Sequence, residues 1–220
     1  MGNVRAVITE EDAIDQTLAA TMEIQNSQNE GSDFEYINYS RSAVSLNYPS
    51  VDNTGSFVSE LGAQSTVQGP ANLSAVGMSD QIQLSVQSWY DNATSTTTLQ
   101  TVESIFADMV SNIILQGTNV VADENSLLQL QNSTSNQSGY LLGFLNNNLG
   151  NEDLTIPQGY LVYIFMDENL NVNAAYSGVL QVAVPGELEF LQTQLLTMPS
   201  DGYFYVPLSV PTSQIIATKK

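Results

Sequence analysis

The chain has 220 residues, with 4 Lys plus Arg against 23 Asp plus Glu, a formal charge of -19, and neither Cys nor His. Those counts exclude a Ser-His-Asp triad, a cysteine nucleophile, a disulfide framework and the ordinary zinc, copper or haem sites. The basic residues are Arg5, Arg41, Lys219 and Lys220, too few and too scattered to neutralise a run of phosphates or hold an anionic lipid surface, so neither nucleic acid nor polybasic membrane attachment fits.

A hydrophobic content of 42% suffices for a core, while Asn, Gln, Ser and Thr together number 79. Solubility therefore comes from uncharged polar groups and carboxylates, a surface that suits an extracellular or cell-surface location. No stretch approaches the length of an apolar membrane span, so no membrane insertion is expected. The opening MGNVRAVITEED lacks the apolar run of a signal peptide, so export implies a removed leader or a longer chain.

Thr17 to Ile24 alternates, with Leu18, Ala20, Met22 and Ile24 on one face, and predicts a half-buried strand. Residues 25–33 read as a polar loop and Ala43 to Tyr48 as a short strand. A long Ser-, Gly-, Asp- and Asn-rich loop then ends near Gly69-Pro70. Ala71 to Tyr90 predicts two strands about the turn Gly77-Met78-Ser79-Asp80, with Ile82, Leu84 and Val86 on the inner face.

From about 97 the period changes. Leu99, Val102, Phe106, Met109 and Ile113 recur at three and four, predicting an amphipathic helix over 99–116 with Thr98 as N-cap and Gly117 as its stop. Asp123 starts a short helix through Leu130, and YLLGFLNNNLG a third helix ending at Gly150. After Pro157, GYLVYIFM, a turn at Asp167 to Asn171 and VNAAYSGVLQVAV predict a hairpin. Leu188 to Leu196 gives a further strand, and Asp201-Gly202 turns into YFYVPLSV, where Pro207 and Pro211 predict a sheet edge. Strands around one helical insertion at about 97–150 predict a mainly β fold, a two-layer antiparallel β-sandwich over 15–210 flanked by segments 1–14 and 211–220.

The run TLAATMEIQNSQNEGSDFEYINYSRSAVSL, then GPANLSAVGMSDQIQLSVQSWYDN, the helical insertion, QGYLVYIFMDENLNVNAAYSGVLQV and DGYFYVPLSV resembles the β-sandwich module of large Rhs or YD-repeat proteins of Bacteroidota. The resemblance implies a jelly roll of galactose-binding or carbohydrate-module type, secreted or surface-exposed and non-catalytic. It brings no catalytic residue set with it. The chain departs from that pattern in lacking YD repeats and the additional terminal strand, rich in aromatic and acidic residues, into which such modules continue. A sandwich short of a strand exposes unpaired backbone groups. The segment Asn3 to Thr9, with Val4, Ala6 and Ile8 on one face, is the candidate donor strand, in its own chain or in a neighbouring copy.

Two clusters are candidate ligand sites. Trp89, Tyr90, Asp91 and Asn92 combine aromatic faces with amide and carboxylate groups, the chemistry of a sugar platform; burial of Trp89 beneath the following helix is the alternative. Asp167, Asn169, Asn171 and Asn173 repeat oxygen-bearing side chains at every second position, as in part of a calcium loop, but Val172 and Gly178 stand where an EF-hand has its Gly and Glu. A hairpin turn uses the same residues without metal, so no cofactor is required. Adjacent carboxylates such as Glu152-Asp153 do not define a facing catalytic pair. The expected function is a non-enzymatic extracellular structural module that forms a homo-oligomer or polymer by strand donation or serves a surface assembly. A carbohydrate-binding module with a glycan partner and a virion or tail structural protein are the alternatives.

Overall fold

The computed structural model describes residues 18–43, 56–59, 68–89, 101–120, 122–150, 160–181 and 188–209. Its centre is a four-stranded antiparallel sheet in the order β3 (Gln68–Val76), β10 (Gly202–Ser209), β6 (Tyr160–Asp167), β7 (Gly178–Gln181). Alternation assigns each side chain to one of two cores. Leu73, Tyr160, Val162, Ile164, Met166 and Tyr205 face the helices α3 (Val102–Gly117), α4 (Glu124–Gln131) and α5 (Asn136–Leu149). Leu161, Phe165 and Phe204 face Leu84, Val86 and Met198 on the opposite side. Both faces of β6 are therefore covered, which explains why LVYIFM is apolar throughout rather than alternating.

The second face is covered by a broken ribbon. β4 (Gln81–Ile82) pairs with β9 (Leu196–Thr197), and β5 (Ser85–Trp89) with β8 (Leu188–Gln192). Between these pairs, Gln83 and Leu84 stand opposite Thr193 to Leu195, an unequal count that makes a bulge. Leu84 stays anchored there, its N–H donating to Thr193 Oγ1 at 3.0 Å and its carbonyl accepting from Thr193 N at 2.9 Å. The two continuous strands expected over 81–90 and 188–196 are thus each divided, while the inward parity of Ile82, Leu84 and Val86 holds.

The helices form where the apolar period of three and four places them. α3 begins at a capping box, Thr101 Oγ1 accepting from Ser104 N at 3.2 Å and Ser104 Oγ from Thr101 N at 3.1 Å. The expected cap at Thr98 lies outside the described residues. Asp123 caps α4 as expected, accepting from Ser126 N at 2.9 Å, and α5 starts earlier than expected because Ser135 caps it. Gly117 is the last residue of α3 and takes no left-handed cap; the C-cap is Thr118, in the right-handed region. A Cβ at Gly117 would stand 2.6 Å from Leu127 Cδ2, so its absence lets α4 close onto α3.

Several expectations are overturned. Helix exceeds strand among the described residues, so the fold is mixed α and β with several antiparallel sheets, none closed, rather than mainly β. Residues 18–23 form no strand: Met22 takes φ 66, and a 3-10 turn follows at Ile24–Asn26. Ala20 and Met22 are nonetheless buried, while Ile24 is exposed. The polar stretch after it is α1 (Ser27–Asp33), followed by α2 (Ile37–Ser40). β1 (Arg41–Ala43) pairs with β2 (Phe57–Ser59), a strand inside the expected loop, and Gly69-Pro70 belongs to β3. The Ala43–Tyr48 strand falls outside the described residues beyond Ala43. Finally, β10 is central despite Pro207. Its ladder with β6 lapses at Val206 and Pro207 and resumes in the same register at Leu208, and a register shift opposite Gly69-Pro70 adjusts its pairing with β3, so the gap falls where the N–H is missing.

Candidate functional site

The hairpin turn between β6 and β7 is built by its own side chains. Leu170 N donates to Asp167 O at 2.9 Å and Asn173 N to Phe165 O at 2.9 Å. Asp167 Oδ1 accepts from the backbone N–H groups of Asn169 and Asn171, each at 2.9 Å. The Asn171 amide nitrogen adds bonds to both carboxylate oxygens, at 3.2 and 3.0 Å. Asn173 caps the 3-10 turn Ala174–Tyr176, its Oδ1 accepting from Ala175 N at 3.1 Å. Leu170 sits at φ 61, where Gly or Asn is usual, and its side chain is fully buried in the helix-side core. Burial of a Leu is worth about 2 kcal/mol, enough to offset a left-handed backbone cost of about 1–2 kcal/mol.

Beside this turn lies a groove of about 660 Å³. Asp167, Asn171 and Asn173 line one side, Asn136 and Tyr140 of α5 and Ser200 of the β9–β10 connection another, with Val172, Ala174 and the buried Phe165 completing the lining. Three of the four residues expected to form a calcium loop thus meet at the groove, with Asn169 exposed on the turn. Among the described residues no three Asp or Glu side chains gather as a metal cluster. In the other candidate cluster, β5 brings Trp89 opposite Leu188, and Tyr90, Asp91 and Asn92 lie outside the described residues. So do Val4, Ala6 and Ile8.

A second polar feature runs along α3. Asp108, Asn112 and Gln116, four residues apart, form a stripe beside its apolar face. Gln116 Oε1 accepts from Leu73 N at 2.7 Å, both groups being buried. Asn112 lies beside the Tyr205 hydroxyl, whose pKa burial drives well above the ordinary phenol value. Burial also raises the Asp108 carboxyl. Tyr36 is raised by burial first, then by the negative charges of Asp108 and Glu35. Gln116 fastens the outer edge of β3, which is further covered by a bridge between Glu35 and Ala71 and by Asn72 Nδ2 donating to Asp33 O at 2.7 Å.

Sequence reasoning singled out neither the stripe nor the α5 wall of the groove. The stripe has a signal, polar residues at a spacing of four beside the apolar face of an amphipathic helix. Asn136, Tyr140 and Ser200 have none, because only the packing of α5 and of the β9–β10 connection brings them to the turn. The fold and groove together define a mixed α/β domain with an open polar cleft. Comparison with protein-family models, curated proteins and solved structures gave no match.

Proposed function

We propose that the chain is a non-enzymatic structural module of an extracellular or cell-surface assembly, extended by strand addition between copies. The observation that carries this reading is the asymmetry of the two sheet edges. The outer edge of β3 is occupied by the Glu35 bridge and the Gln116 side chain, whereas among the described residues β7 pairs only with β6. Addition of a strand along Gly178 to Leu180 would continue the sheet, the usual mode of β-augmentation. The donor is Asn3 to Thr9 of a neighbouring copy, whose alternation of Val4, Ala6 and Ile8 matches a half-covered sheet face. A ribbon layer packed across the sheet supports the jelly-roll-like sandwich reading. The resemblance to the Rhs module and a polar, acidic composition support the extracellular setting.

The test is light scattering on the full chain and on a chain lacking residues 1–12. Assembly lost on truncation is the expected result; unchanged mass overturns the donor role, and a monomer in both overturns self-association. Copies carrying -19 repel one another, so assembly should strengthen as salt shortens the screening length.

A further inference from the structure

We propose that the groove between the β6–β7 turn and the start of α5 is a binding site for a neutral saccharide unit. Its volume of about 660 Å³ lies within the roughly 300–1,000 Å³ of small-molecule sites. The lining chemistry selects the ligand class by elimination. Among the described residues no Lys or Arg lines the groove, and the Asp167 carboxylate stands in it, so an anion would meet repulsion without compensation. A metal ion would find a single carboxylate whose Oδ1 already accepts from two backbone N–H groups and one amide. A wholly apolar ligand would strip water from the amides and offer no hydrogen bonds in return, at a cost of about 1–3 kcal/mol for each polar group.

A hydroxyl-rich neutral ring meets every requirement. Each sugar hydroxyl both donates and accepts, which suits a lining of amides, a hydroxyl and one carboxylate. The Asn173 carbonyl oxygen is held by Ala175 N, so this amide presents its nitrogen as donor. Asp167 presents Oδ2, which takes a single bond from the Asn171 amide, as acceptor, and Asn136 and Ser200 add mixed donor and acceptor groups across the cleft. Tyr140 is 54% exposed on the α5 wall, and its ring offers apolar surface to the C–H face of a pyranose. The wall is preorganised, because the turn is tied by the Asp167 bonds and anchored by Leu170 in the core, which limits the ordering cost of binding.

The site lies within one copy, so it stands or falls independently of strand addition. The test is an array of neutral and acidic glycans probed with the full chain, followed by isothermal titration with the neutral glycan that binds best. Saturable binding of a neutral glycan is expected, weakened at least tenfold by Tyr140→Ala and by Asn173→Ala. Tyr140 is exposed, and an unchanged melting temperature for Tyr140→Ala separates lost binding from lost fold. Silence across the array, preference for sialylated or sulfated glycans, or binding that survives Tyr140→Ala but is abolished by Trp89→Ala would each overturn the assignment.

Discussion

Replacing Gln116 by Ala removes the acceptor that holds the Leu73 N–H at 2.7 Å. Gln116 is only 6% exposed, and leaving that backbone donor buried without a partner costs about 1–3 kcal/mol. Part of this is recovered, because the Gln116 amide nitrogen has no partner among the described residues, and Ala also improves helix propensity by a few tenths of a kcal/mol. A net loss of about 1–2 kcal/mol follows, which lowers the melting temperature by about 2–8 °C for a chain of this length. The exposed Gln129 on α4 provides the control, since Gln129→Ala changes stability by no more than about 0.5 kcal/mol. Circular dichroism melts compare the two variants, and hydrogen exchange reads the Leu73 amide directly. Its protection should fall about five- to thirtyfold, at tenfold per 1.4 kcal/mol. Unchanged Leu73 protection together with a melt matching Gln129→Ala would refute the role given to Gln116.

Glu30→Ala leaves Arg41, 3.6 Å away and similarly buried, without its ion-pair partner and Thr21 N without its acceptor; a loss of about 3–5 kcal/mol is expected in a thermal melt, with less from Glu30→Gln, which keeps an acceptor. Burial raises the Asp108 pKa above its ordinary 3.8, so the folded state binds the proton more tightly than the unfolded state. The Asp108 contribution is most favourable below that ordinary value and falls as pH climbs to the raised value. Asp108→Asn should therefore raise the melting temperature at pH 7 more than at pH 3, measured side by side. At Leu170, Gly relieves the left-handed backbone whereas Ala keeps its strain, and both lose the buried side chain. Denaturant titration should find Leu170→Gly less destabilising than Leu170→Ala by about 1 kcal/mol.

Much of the local structure was legible because it is local in origin. The spacing of Val102, Met109 and Ile113 defines a helical face, Asp123 is a cap by its short acceptor side chain, and Asp167 to Asn171 is a turn by its amides and carboxylate. Parity also placed Ile82, Leu84 and Val86 inward, even though a bulge divides their strand. Where prediction failed, a partner distant in sequence decided. Residues 18–23 alternate like a strand, but Glu30 takes up the Thr21 N–H and hydroxyl and Arg41 takes up the Met22 carbonyl, leaving a coil with buried Ala20 and Met22. Pro207 reads as an edge signal, yet β10 is flanked on both sides because the lapse in pairing falls where its N–H is missing.

The sequence alone determined the chemical repertoire: without His or Cys, and with four cations in 220 residues, the chain works through amides, hydroxyls, carboxylates and aromatic rings. It also determined the helices between the strand regions and the β6–β7 turn, since these follow from interactions within a few residues. Only the tertiary structure decided which sheet edge is sealed and where the groove lies. Those outcomes depend on α3 lying against β3 and α5 against the turn, contacts between residues tens of positions apart that no local spacing encodes.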